Sequence, residues 1–215
     1  MTIKTEDLLN SIMESFDRIA HIESEDIPNI DLYMDQVTTF MERNLRSATR
    51  NPGEDKILTK TMINNYAKND LLPPPVKKKY SKEHVLMLIF IYYFKGVLSI
   101  GDIQKLLNPL AEKYFQSEDG FTLTDVYDEV FRLEEMKVEG LKADVRNLFA
   151  EAEKTFPDAA KDDREFLQRF ALICMLSYDV YVKKLLIEKL IDATELPEDK
   201  AAVEPEKKKT KAEKK

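Results

Sequence analysis

The sequence predicts a mainly helical, all-α protein. Apolar residues recur at helical spacing in successive segments, separated by prolines, glycines and polar caps. Five glycines and no tryptophan occur among 215 residues, which argues against a large β architecture. In the stretch 58–107, Thr59, Ser81 and Ser99 each stand where a helix can begin, because a hydroxyl accepts from an otherwise unpaired N–H of the first turn.

Taken in order, residues 5–22 read as an amphipathic helix within an N-terminal segment 1–30, with Leu8, Leu9, Ile12, Met13, Phe16 and Ile19 on one side. Pro28 breaks the chain. Asp31 then opens a helix to about Leu45, with Leu32, Val37, Phe40 and Met41 inward. Arg43, Arg46 and Arg50 lie at its end, where cations are favoured by the helix dipole and can also meet a phosphate backbone. Thr59 caps a short helix, Lys60–Asn69. Met62, Ile63 and Tyr66 form its apolar stripe, while Lys60, Asn64, Asn65 and Lys68 fall on its other faces. Pro73, Pro74 and Pro75 follow Leu71 and Leu72; with fixed φ and no N–H, they stop the helix. Lys77, Lys78 and Lys79 make a basic hairpin-like loop ending at Tyr80.

Ser81 caps the next helix, with Val85–Phe94 as its apolar body and Gly96 as its end. Ser99 and Asp102 open a third, burying Ile103, Leu106 and Leu107. Residues 108–122 read as a connector. Phe121–Pro157 read as one long helix loosened at Gly140, with apolar faces from Val126, Tyr127, Val130, Phe131, Leu133, Leu141, Val145, Leu148 and Phe149. A last helix runs from about Asp162 to about Asp192. Phe166, Leu167, Phe170, Ala171, Cys174, Tyr178, Tyr181, Leu185, Ile187 and Leu190 recur along it at helical spacing. Residues 195–215, rich in Glu, Pro and Lys, are expected to be a disordered tail.

Composition narrows the function. Cys174 is the single cysteine, so no intramolecular disulfide can form, and its apolar stripe predicts a buried, inert thiol. Two histidines far apart give no zinc spacing. The longest apolar run, Val85–Phe94, is half of the roughly 20 residues a bilayer span needs, and Met1–Asn10 does not read as a secretory signal. A cytoplasmic location with no membrane association is expected. There is no P-loop, dinucleotide loop or Ser/His/Asp set. Neighbouring carboxylates such as Glu134 and Glu135 point apart on a helix. The reading is therefore a non-enzyme without metal or cofactor.

The formal net charge is −7, but its distribution is uneven. Between Arg43 and Lys82 ten bases face three acids, a net of +7; from Ala111 to Glu165 sixteen acids face eight bases, a net of −8. A basic island on an acidic chain is the footprint of a nucleic-acid reader.

The order of a short polar helix, a basic loop ending in tyrosine, an apolar helix and a small helix resembles the winged helix-turn-helix head of the MerR family of bacterial transcription regulators. Thr59, Ile63, Tyr66, Leu71, Leu72, Pro74, Tyr80, Phe90, Ile91, Ser99, Ile103 and Leu107 fit that pattern in register. Residues 31–107 are also similar to a bacterial family of unknown function carrying runs like LYMDQV, LTKTMINNYAK and KKYSKEH. The chain departs from the MerR pattern at Asn64, where an arginine is usual, at Asn65, where a tyrosine is usual, and at Asp70, where a glycine is usual. Its segment 46–57 is also longer than the usual turn.

The resemblance implies a small β wing, a head over 31–107 and a C-terminal long-helix module over 108–194. It implies double-stranded DNA as the partner, with an effector left open. Together with the wide apolar faces of the two C-terminal helices it leads to the expectation of a homodimer through 121–192, the alternative being that helix 5–22 covers the same surface. Arg43, Arg46, Lys77, Lys78 and Lys79 would hold phosphates, and Thr59, Lys60, Asn64, Asn65 and Lys68 would present the reading helix. Asn64 and Asn65 also suit an exposed face with no ligand. The rival expectation is a protein–protein module that keeps this fold without binding DNA.

Overall fold

The structure, a computed structural model, describes residues 5–17, 22–51, 53–117 and 120–194. They form eight α-helices and one two-stranded antiparallel sheet: α1 (Thr5–Asp17), β1 (Leu32–Tyr33), α2 (Met34–Leu45), α3 (Lys60–Lys68), β2 (Lys79–Tyr80), α4 (Lys82–Phe94), α5 (Ile100–Tyr114), α6 (Leu123–Glu135), α7 (Val138–Glu153) and α8 (Lys161–Ala193). The mainly helical class with a small β wing is what the sequence predicts. Ile19, His21 and the tail 195–215 lie outside the described residues.

α4 sits at the centre. His84 through Ile91 are buried without a gap, so the helix has no solvent face and must be covered on every side. α5, α6 and β2 pack directly on it. Val37, Met41 and Leu45 of α2, Ile63 and Tyr66 of α3, and Leu71 and Leu72 join the same core. Phe90 meets Tyr127 edge-on at 5.5 Å, and Tyr127 stacks on Phe131 at 4.1 Å. The Tyr127 hydroxyl donates to the Ile22 carbonyl at 2.6 Å, closing the first residue of this core on one of its last. Lys95 Nζ donates to the Ile57 carbonyl at 2.7 Å, pinning the long loop after α2 to the end of α4.

A second, smaller packing centre holds Phe149 and Ala152 of α7 with Leu172 of α8, flanked by Leu9 and Ile12 of α1. α8 reaches both centres, because Ile191 near its end belongs to the larger core.

Several elements differ from expectation. The helix expected from Asp31 starts at Met34, because Leu32 and Tyr33 pair with Tyr80 and Lys79 as the sheet. α5 does not stop at Leu107 but continues through Pro109 to Tyr114, replacing part of the expected connector. The proline forfeits one N–H, yet Leu110, Ala111 and Tyr114 keep packing on the core. The long helix expected over 121–157 is two helices, parting at Met136–Lys137 rather than at Gly140, which lies inside α7. α6 must pack on α4 and α7 on α8, so the chain turns between them. Gly96 takes no left-handed conformation; α4 ends in a turn whose Val97 and Leu98 N–H groups donate to the Phe94 carbonyl. Leu133 and Leu141 are exposed, and so is Cys174, which is no core thiol.

Ile91→Ala, at a fully buried position of α4, should lower the unfolding free energy by about 2–5 kcal/mol, since a close-packed cage cannot collapse onto the cavity. Urea denaturation checks this; an unmoved midpoint would contradict the central placement of α4.

Candidate nucleic-acid interface

The candidate surface is built on α2, α3 and the wing. Thr59 caps α3 by accepting the Met62 N–H at 3.2 Å, so its hydroxyl is engaged in starting the helix. Ile63 and Tyr66 anchor α3 in the core. That orientation leaves Lys60, Asn64, Asn65 and Lys68 exposed on its outer side. Past the helix, Asp70 takes φ of 54°, the left-handed conformation that a glycine adopts without strain. The N–H groups of Leu71 and Leu72 then fold back to the Tyr66 carbonyl, and Gln104 of α5 donates to the Asn69 carbonyl. These ties fix α3 relative to the segment that follows it.

The wing is a tight turn. Lys79 N–H donates to the Val76 carbonyl at 3.0 Å, and the two central residues, Lys77 and Lys78, have φ of 51° and 63°. Two consecutive left-handed residues mark the type I′ hairpin turn, whose usual occupants are Asn and Gly. Lysine there costs about 1–2 kcal/mol per residue through its Cβ. Both side chains are exposed at the tip. Lys79 is half-buried, with its ammonium 5.4 Å from the centre of the Tyr33 ring across the sheet.

The remaining expected residues are placed differently. Lys60 forms an exposed ion pair with Asp35 at the start of α2. Arg46 is drawn into the fold: it donates to the Asp55 carbonyl at 2.7 Å and pairs with Glu42, so it clamps the loop 46–57. Arg43 is exposed but lies about 12 Å along α2 from Asp35, the partner of Lys60. α3 thus presents Lys60, Asn64, Asn65 and Lys68 on its outer side and the turn presents Lys77 and Lys78 at its tip, while Arg43 and Arg46 lie at the C-terminal end of α2. Sequence reading missed Asp35, Tyr33 and Gln104. No spacing rule marks them, because each acts across elements distant in sequence.

His84 supports the wing from below. Its Nδ1 accepts the Ser81 N–H at 2.9 Å, which leaves the ring proton on Nε2. The ring packs edge-on between Tyr80 at the wing's base and Phe115 after α5. Nε2 is buried without a hydrogen-bond partner, although the Pro74 and Pro73 carbonyls lie near enough to favour its charged form. Burial prevails and holds the His84 pKa below its ordinary 6.5.

Below that value the unfolded chain binds a proton that the folded chain refuses. The contribution of neutral His84 is therefore fully present above about 6.5 and is lost as pH falls towards the lower folded value. Urea midpoints between pH 7.5 and 5 should fall for the unaltered chain, and His84→Gln should flatten that part of the profile; parallel profiles would show that His84 titrates as in the unfolded chain.

Among the described residues no cluster of His, Cys, Asp and Glu could hold a metal, and no helix is long and apolar enough to cross a membrane. Comparison with curated proteins and with solved structures returns no match. A family model described as a domain of unknown function, DUF1836, matches residues 22–130. Those limits fall on the larger core, which begins at Ile22 and in this part of the chain ends at Phe131. With half of the sequence matched over one packing unit, the chain belongs to the DUF1836 family.

Proposed function

We propose that the protein is a DNA-binding transcription regulator of MerR-like type, in which α3 enters the major groove and the 76–79 turn grips the flanking phosphate backbone. The observation that carries this reading is the turn itself. Lys77 and Lys78 hold left-handed backbone at a position where Asn-Gly would be relaxed, and both present their ammonium groups to solvent. Strain retained at an exposed cationic tip is accounted for by a bound anion, not by folding. The charge around it agrees: from Lys56 to Lys82 seven lysines face a single acid, Asp70. Asn64 and Asn65, weak helix formers kept on the exposed side of α3, have the side chains that pair bidentately with adenine.

The second reading is a protein–protein module with the same fold. The ion pair of Lys60 with Asp35 and the engagement of Arg46 with Asp55 and Glu42 favour it, because they remove two cations from the phosphate-binding set. Titrating salt against binding to random-sequence duplex DNA separates the two. The regulator loses affinity steeply as salt rises; the module shows no binding even at low salt.

Neutralising Lys77, Lys78 and Lys79 together should weaken binding to all DNA sequences about equally. The slope of log affinity against log salt should flatten by up to about 0.9 for each phosphate no longer neutralised. If the triple variant binds like the parent, the wing lysines do not touch DNA.

A second pair of substitutions separates folding from binding. Lys77→Asn with Lys78→Gly relieves the left-handed strain, so the unfolding free energy should rise by about 1 kcal/mol. Affinity for DNA should drop at the same time. Stability and affinity that fell together would mean the lysines serve the fold.

A further inference from the structure

The wing rests on little besides its base. Its ladder is two residues long on each strand, Leu32 with Tyr80 and Tyr33 with Lys79, and so short a pair is marginal on its own. Its turn holds Lys77 and Lys78 in left-handed backbone. Three adjacent ammonium groups, Lys77 to Lys79, repel one another. The buried ring of Tyr80 fastens the wing to the core, and His84 abuts that ring edge-on.

His84 meets the wing at both ends. At the exit its Nδ1 accepts the Ser81 N–H, and the Ser81 hydroxyl lies 2.9 Å from the same nitrogen. At the entry the Pro74 and Pro73 carbonyls act on it. Phe115 closes another side. The residue is 1% exposed, and its Nε2 has no hydrogen-bond partner. This cage suits a neutral imidazole. A proton added at Nδ1 turns that acceptor into a donor. The Ser81 hydroxyl can rotate to accept it, but the Ser81 N–H loses its acceptor, and with it half of the capping box that starts α4. Among the described residues, the charged and titratable groups that face the ring are Glu83 of α4, Asp31 ahead of β1 and Tyr80 of the wing, with Lys82 beside the cap. Phe115 and the prolines bring no charge. Burial outweighs the pull of the two carboxylates.

We propose that His84 is a proton-operated latch on the wing: neutral, it ties the segment 73–81 to the start of α4, and protonated, it leaves its cage and frees that segment while the centre of α4 stays folded. The separation follows from where the contacts lie. Those of His84 belong to the wing and its frame, whereas Val85 to Ile91 share their core with α2, α3, α5 and α6. Opening also releases the left-handed turn from its strain. Lys77 and Lys78 therefore stand on a fixed base when the ring is neutral and on a slack loop when it is charged. The latch belongs to the wing whether or not the wing meets DNA, and its test uses no DNA.

Amide hydrogen exchange of the full chain, followed by NMR from pH 7.5 to 5 and corrected for the intrinsic exchange rate, reads the opening directly. The Lys79 N–H, bonded to the Val76 carbonyl, and the Ser81 N–H report on the wing. Their protection should fall by up to about tenfold for each pH unit below the ordinary histidine value of 6.5, because the open wing takes up the proton that the closed one refuses. At every pH they should stay less protected than Val85 to Ile91, which exchange through larger openings. In His84→Gln the side-chain oxygen completes a Ser-x-x-Gln capping box without titrating, and wing protection should be level across the range. Wing protection that ignores pH in the unaltered chain would show that the wing frays without His84. Wing protection equal to that of the α4 centre would show that it opens only with the whole core. Either result overturns the latch without recourse to a variant, and so does an undiminished pH response in His84→Gln.

Discussion

Everything in the larger core follows from the fact that α4 has no face to spare. Eight consecutive buried residues, His84 to Ile91, leave it unable to rest on a surface as an amphipathic helix does. Desolvating such a helix requires a complete sheath, and the chain supplies it from both directions in sequence: α2 and α3 before it, α5 and α6 after it. The hydrogen bond from Tyr127 to the Ile22 carbonyl closes that sheath. The wing inherits its position from the same constraint. Tyr80 is both the last residue of β2 and part of the sheath, so the strained turn at 77–78 projects from a rigid base.

Much of this is legible in the sequence because its causes are local. Thr59 and Ser99 each accept the N–H of the third helical residue, Met62 and Asp102, and the ten-residue apolar run could only be a core helix. α8 has nearly the boundaries that its periodicity indicates. What is not legible depends on partners far away. Pro109 looks like a stop and is overridden because Leu110 and Tyr114 still have a core to reach. The break at Met136–Lys137 carries no glycine or proline, and arises because α6 and α7 serve different packing centres. Which apolar residues of α8 are buried is also hidden. Leu172 and Ile191 are inside while the more conspicuous Phe166, Phe170 and Tyr181 are outside, since periodicity reports a face but not what lies against it.

The candidate surface divides in the same way. Asn64, Asn65 and Lys68 can be placed from the helical wheel alone, because Ile63 and Tyr66 orient α3. The left-handed lysines cannot: VKKKY has none of the Asn or Gly that announce a type I′ turn, so the strain appears only in the backbone. Asp70 is a further case: its left-handed φ of 54° is one that a glycine adopts without strain, and an aspartate does not announce it. The diversion of Arg46 to Asp55 is invisible in the sequence because the loop that carries Asp55 has no pattern of its own.

α8 also has a mechanical consequence. It runs unbroken for 33 residues with neither glycine nor proline, and its two ends belong to different packing centres, Leu172 in one and Ile191 in the other. Such a rod bends only gently, with a radius of roughly 60–100 Å, and has no weak joint at which to fold. A tilt imposed at the α1–α7 end is therefore not absorbed on the way. It arrives as a displacement of the α5 contact, where Lys105 meets Asp192, about 30 Å from Leu172. α8 is in that sense a lever, with the body that carries the wing as its load.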